Sequence, residues 1–213
     1  MPDRLDAPPS PVLALVRARE DRSLVDRAIA GDPAAQRDLF RRERRKVHAT
    51  LYRILGSNLS MDDLVQDVFI EVFKSLHTFR GEASLSTWID RCTAHVALSY
   101  LRKKRPKLIE IGDEHPSSGT SPEEQSLLRE AARRLYAELD RMDPTLRLAI
   151  TLHVIDGRPV AEVAEIMEAS LVATKTRVWR ARQHLQGCAR RDPSLAVFLS
   201  TEANDRSPTE GES

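Results

Sequence analysis

Between residues 77 and 84 the sequence reads His-Thr-Phe-Arg-Gly-Glu-Ala-Ser, an aromatic, a cation, a carboxylate and a hydroxyl in a few positions. One helix length later comes Arg102-Lys103-Lys104-Arg105. Aromatic stacking combined with phosphate contact is how proteins hold single-stranded nucleic acid. Taken alone, the basic run is more often a solvated helix end whose cations suit the dipole. A second group lies near the C-terminus, where Val172, Ala173, Thr176, Arg177, Trp179 and Arg180 share one side of a helical stretch, with Lys175 and Arg182 on its flanks. Small residues with arginines fit a major groove, where Arg reads guanine and Thr touches a thymine methyl. A third group, Asp63, Gln66, Asp67 and Lys74, surrounds a stranded Ile70 opposite an apolar stripe, the pattern of a face that docks on another protein. Single exposed aliphatics are common, and on this face alone the plain solvated reading is the commoner one.

The elements that carry these groups are helices. Leu64, Val65, Val68, Phe69, Val72, Phe73 and Leu76 recur at helical spacing, and Leu85, Trp88, Ile89, Cys92, Val96 and Tyr100 form a second stripe. Upstream, Ser23 is an N-cap candidate for a short helix closed by Gly31. Asp32-Pro33 opens the next helix, with Leu39, Phe40, Val47, Leu51, Ile54 and Leu55 inward, and Gly56 ends it. The cluster from Arg41 to Lys46 reads as solvated surface. Towards the C-terminus, Leu127, Leu128, Leu135 and Leu139 mark one helix, and Asp143-Pro144 opens another that ends near Gly157. A short helix from Pro159 to Met167, a turn at Glu168-Ala169 and a last helix capped by Ser170 form a helix-turn-helix pattern. Leu171, Thr174, Val178, Ala181 and Leu185 are expected to pack inward.

With 31% charged and 5% aromatic residues among 213, the chain suits an all-α fold. A net charge of +1 excludes a uniformly basic nucleic-acid binder, so any polyanion site is local. The two cysteines exclude a disulfide framework; Cys92 reads as inert core, and ligand types for a metal do not cluster along the chain. No cofactor is implied. No Gly-rich phosphate loop and no nucleophile–base pair stands out, so an enzyme carries little weight. No run is apolar enough to span a membrane, and the proline-broken N-terminus is unlike a signal peptide, which places the protein in the cytoplasm. Residues 107–123 are rich in Gly, Pro, Ser and acid, a flexible linker between two small helical domains, 23–106 and 124–187. Residues 1–22 read as a loose leader and 188–213 as a mostly disordered tail, with an unexplained apolar patch from Leu195 to Leu199.

The segments DDLVQDVFIEVF, FRGEASLSTWI and LSYLRKKR resemble, in order and spacing, the second conserved region of extracytoplasmic-function sigma factors, the small promoter-specificity subunits of bacterial RNA polymerase. PVAEVAEIMEASLVATKTRVWRARQHL is similar to the fourth conserved region of that family. The resemblance runs from about Leu24 to Leu185, and departs at Gln36, at Glu168 where the family turn commonly has Gly, at Val172-Ala173-Thr174, and at Ala94, His95 and Ser99. It implies that Asp63, Gln66, Asp67, Ile70 and Lys74 bind core RNA polymerase. It implies that Phe79, Arg80, Glu82, Ser84, His95, Arg102, Lys103 and Arg105 meet the proximal, minus-10 promoter element. It places Ser170, Ala173, Lys175, Thr176, Arg177, Arg180 and Arg182 on the upstream, minus-35 duplex. Many members are held inactive by an anti-sigma factor, which adds that partner to core polymerase and promoter DNA. The runner-up is a helix-turn-helix regulator acting without polymerase, which would need neither the Asp63–Ile70 face nor the Phe79 loop. Mixing the protein with core polymerase and asking whether a promoter is selectively transcribed separates the two.

Overall fold

The computed structural model describes residues 11–103 and 122–198. Their regular elements are all helical: α1 (Pro11–Ile29), α2 (Pro33–Leu55), α3 (Met61–Ser75), α4 (Leu85–Lys103), α5 (Pro122–Asp140), α6 (Pro144–Ile150), α7 (Val160–Ile166) and α8 (Leu171–Ala189). The linker expected at 107–123 lies almost wholly outside the described residues, as does Arg105.

Local chemistry sets the boundaries. The Asp32 carboxylate accepts the Ala34 N–H at 2.8 Å, with Pro33 in the first turn of α2. Asp143 does the same for Thr145 and Leu146 ahead of α6, and hydrogen bonds from Thr145 hold its carboxyl below the usual carboxylate range. Ser170 accepts from the Ala173 N–H at 3.2 Å and starts α8. Glu168 sits at φ 49°, the left-handed turn its family position calls for, at a cost of about 1 kcal/mol.

Three expectations are corrected. Ser23 caps nothing: α1 begins at Pro11 and runs through it, covering half of the expected leader. Leu127 is 71% exposed and Leu128 is exposed too, because α5 packs only through Ala131, Leu135, Tyr136 and Leu139. Within the expected tail, a 3₁₀ turn at Pro193–Phe198 folds back on α5 and α8, burying Leu195 and partly burying Phe198 of that apolar patch.

The two halves are packed together, a contact that the hydrophobic pattern does not announce. Leu148, Leu152, Val163 and Ile166 join the core built by α1–α4, with α6 and α7 lying against α4. The C-terminus of α2 fixes this arrangement. A helix end leaves four carbonyls without intrahelical partners. Here the Tyr52 carbonyl accepts from Gly56 N–H at 2.7 Å and Arg53 from the Tyr136 hydroxyl at 2.7 Å. The Ile54 and Leu55 carbonyls each accept from the Arg147 guanidinium at 2.9 Å. Arg147 is 2% exposed and also pairs with Asp140. Its charge suits the negative end of the α2 dipole.

A second bridge runs alongside. Asp90 of α4, 1% exposed, accepts from Lys46 of α2 at 2.7 Å and from Arg158 at 2.8 Å. Arg158 in turn engages Glu162 at 2.7 Å and Asp156, and Asp156 meets Arg53 at 2.5 Å. Burial opposes the Arg158 charge, but the Asp156 and Asp90 carboxylates outweigh it and raise its pKa. Lys46 and the buried Glu43 therefore do not belong to a freely solvated cluster.

Candidate functional site

The face expected to dock is formed by α3. Its buried side is Met61, Leu64, Val65, Val68, Phe69 and Val72, so the helical turn leaves Asp63, Gln66, Asp67, Ile70 and Lys74 exposed on the other. Ile70 does not stand alone. It rims an open groove of about 440 Å³ lined by Phe40, Val65, Phe69 and Phe73, with Arg44, Asp62 and Gln66 at its edge. Phe40 and Phe69 meet edge to face at 4.6 Å, which holds the groove wall rigid. The aromatic wall escaped the sequence reading because Phe40 lies on α2, outside the local period of α3.

The loop from Phe79 to Ser84 follows a 3₁₀ turn at the end of α3. Phe79 is half-buried and packs edge-on against Trp88, with centroids 5.9 Å apart. Arg80 and Glu82 are exposed. The Ser84 hydroxyl accepts from the Thr87 N–H at 3.0 Å, so its side chain opens α4 while remaining at the surface. Residues of α1 that were read as leader complete the site: Ala18, Arg19, Asp21 and Arg22 join the loop around a cleft of about 680 Å³. Arg19 and Arg22 add cations beside an aromatic-bearing loop, as a single-strand site needs.

Along α4, His95 is exposed, as are Arg102 and Lys103 at its end. Ala94, which is not among the stripe residues Leu85, Trp88, Ile89, Cys92, Val96 and Tyr100, is nevertheless buried at 3% exposure. Helix α4 is covered on two sides, by α2 and α3 and by α6 and α7, so its apolar band is wider than one amphipathic face. Cys92 lies in that band, where burial pushes its thiol pKa up to about 11.

Helix α8 seats Thr174, Val178, Ala181 and Leu185 in the second core, but Leu171 at its first turn is exposed. Lys175, Thr176, Trp179 and Arg180 are exposed, while Ala173, Arg177 and Arg182 are half-buried. Arg182 contacts His153 at 3.1 Å, which ties it to the helical segment Thr151–Ile155 that continues α6 and sets it off the outward face. The exposed strip is therefore narrower than expected and centres on Val172, Thr176, Trp179 and Arg180.

Residues 39–107 match the family model described as Sigma-70 region 2, and residues 132–185 the one described as Sigma-70, region 4. The chain is 30% identical over 177 residues to the ECF RNA polymerase sigma-E factor of Haemophilus influenzae, covering 78% of this chain and 93% of the relative. It is 30% identical over 174 residues to the protein of the same name from Escherichia coli K12, covering 76% and 91%. Among solved structures it resembles CnrH in complex with the cytosolic domain of CnrY, with a TM-score of 0.57 at 24% identity over 81% of this chain and 98% of that one. It also resembles the sigma factor RpoE in complex with the anti-sigma factor NepR from Bartonella quintana, with a TM-score of 0.50 at 19% identity over 78% and 97%.

Proposed function

The chain belongs to the extracytoplasmic-function branch of the sigma-70 family, and on that premise we propose how its surfaces divide the work of an alternative sigma factor. The α3 face with Asp63, Gln66, Asp67, Ile70 and Lys74 docks on core RNA polymerase. The cleft between α1 and the Phe79–Ser84 loop takes an unstacked base of the minus-10 element, with His95, Arg102, Lys103 and Arg105 along the adjoining strand. Extruding a base costs a few kcal/mol, which stacking and phosphate contact at this cleft offset. Helix α8 enters the major groove of the minus-35 duplex. The observation that carries this reading is the juxtaposition on one half of an exposed Ile70 groove and an aromatic, cation-lined cleft, with a helix-turn-helix on the other half. A DNA-binding regulator needs only the last.

The packed arrangement bears on how the protein is used. Elements centred near minus 10 and minus 35 lie ~25 base pairs apart, or about 85 Å of duplex. A compact chain of this length spans only about 40 Å. The halves therefore part when both elements are engaged. The sigma factor RpoE of Bartonella quintana is seen in complex with the anti-sigma factor NepR, and an anti-sigma factor is the expected regulator here too. The protein acts in the cytoplasm, and among the described residues no helix is long and apolar enough to cross a membrane.

The direct test is run-off transcription from a promoter library with core polymerase and this chain. Selective initiation with the protein, and none without it, is the expected result; promoter binding without polymerase recruitment would favour the regulator reading. Within α8, Arg180→Ala is expected to cost about 1–3 kcal/mol and relax one base position. Lys175→Ala is expected to weaken all sequences alike and lower the salt slope by about one. Binding assays across single-base variants of the upstream element separate the two, and equal loss on every sequence for Arg180→Ala would place that side chain on phosphate. For the melted strand, exchanging the Phe79–Ser84 loop and α4 surface for those of a typical relative is expected to transfer minus-10 preference and leave minus-35 preference intact. With Ala94 buried, His95 is the departure expected to act, and a chimera of unchanged preference would exclude this surface as the reader.

A further inference from the structure

Ligand types scattered along the sequence come together between α5 and α8. His184 and Cys188 are four residues apart on α8, so both side chains rise on the same face. Opposite them α5 presents Glu138. The Glu138 Oε2 lies 3.3 Å from Cys188 Sγ and 3.8 Å from His184 Nε2, and the three donor atoms all lie within 4.8 Å of one another. Around a tetrahedral zinc ion, with bonds of about 2.0–2.3 Å, neighbouring ligand atoms stand about 3.4–3.6 Å apart. The two separations that involve Glu138 lie within about 0.3 Å of that range.

We propose that Glu138, His184 and Cys188 form a zinc site that fastens the end of the DNA-reading helix to α5. The donor set is one thiolate, one imidazole and one carboxylate, a borderline combination suited to zinc. Cys188 is 4% exposed and shielded from other reactions, whereas the His184 side chain is 40% exposed, so the ion enters from solvent and keeps water as its fourth ligand. Neighbouring groups prepare the ligands. Arg141 donates to the second carboxylate oxygen of Glu138 at 2.6 Å and leaves Oε2 for the ion. Burial and the Glu138 carboxylate raise the Cys188 thiol pKa, and the Arg191 guanidinium, 3.5 Å from its Sγ, offsets part of that rise. On binding, the S–H bond breaks, its proton passes to solvent, and a sulfur–zinc bond forms, with no change of oxidation state. The site stands apart from the docking face and begins one turn beyond Arg180 on α8, and this assignment does not rest on the polymerase reading.

The test uses the full metal-free protein and Co²⁺ as a spectroscopic stand-in for Zn²⁺. One equivalent of Co²⁺ is expected to produce a thiolate charge-transfer band and the intense visible bands of a four-coordinate ion, both abolished by Zn²⁺. Cys188→Ser is expected to remove the charge-transfer band, and Cys92→Ser to leave it intact. His184→Ala and Glu138→Gln are each expected to weaken Zn²⁺ binding at least about tenfold, with circular dichroism confirming that the variants are folded. Zinc at about a hundred times its dissociation constant is expected to raise the melting temperature by roughly 5–10 °C. Absence of the sulfur band at stoichiometric Co²⁺, its survival in Cys188→Ser, or unchanged affinity in both His184→Ala and Glu138→Gln overturns the site.

Discussion

Replacing Arg147 by Met is expected to uncouple the two halves of the protein. The substitution keeps much of the side-chain volume but leaves the Ile54 and Leu55 carbonyls and the Asp140 carboxylate without the guanidinium that now satisfies them. Removing one member of a buried ion pair typically costs about 3–5 kcal/mol. That loss has an outlet, because the halves can part and admit water to the freed carbonyls, so the cost is bounded by the strength of the contact between them. The expected signature is a single denaturation transition becoming two, with the earlier one reporting residues 122–198. A larger radius of gyration by X-ray scattering is expected alongside. Arg147→Lys restores charge but not the forked geometry that reaches two carbonyls, and is expected to recover only part of the loss. Gly56→Ala attacks the same joint by another route. The added methyl would overlap the Tyr136 ring, at a residue whose φ is +67°. If all three variants unfold in one transition at the native midpoint, the packed arrangement contributes nothing in solution.

The same joint shows where sequence reading stops. Helix caps were legible because each is a local affair: Asp32 and Asp143 stand beside prolines, Ser170 stands three residues before its partner, and Gly56 ends a periodic run. The exposed side of α3 was legible for a similar reason, since helical periodicity sets Asp63, Gln66, Asp67 and Ile70 opposite the buried stripe. By contrast, Arg147 lies 93 residues from Ile54 and reads in isolation as a surface cation at the start of a short helix. Nothing within a window of α6 says that its partners are the carbonyls of another helix. Asp90 is hidden for the same reason, since Lys46 and Arg158 close over it from two other elements. Helix α1 was missed from the other direction: Pro8, Pro9 and Pro11 suggested a broken leader, whereas Pro11 is simply tolerated in a first turn. Its Arg19 and Arg22 then reach the Phe79 loop, a placement that only the fold supplies. The proposed zinc ligands were hidden in the same way, split between α5 and the last helix of the helix-turn-helix.

Asp67→Arg is expected to abolish co-purification with core RNA polymerase while leaving the fold intact. Asp67 is exposed on the outer side of α3, away from Val65, Val68 and Phe69 of the core, so the change creates no buried charge and no cavity. Surface substitutions of this kind alter stability by only about 0.5 kcal/mol. At an interface the reversal of charge sets like against like and costs several kcal/mol, and 1.4 kcal/mol is about tenfold in affinity. Ile70→Ser serves as the companion variant, because it removes the apolar rim of the groove formed with Phe40, Phe69 and Phe73 without touching a charge. Its loss is expected to appear mainly as faster dissociation, whereas that of Asp67→Arg is expected to appear largely in slower association with strong salt dependence. Helicity and melting temperature within error of the parent, combined with loss of polymerase binding in both variants, assign the face. A folded Asp67→Arg protein that binds core polymerase normally would move docking to another surface and leave the Ile70 groove without a role.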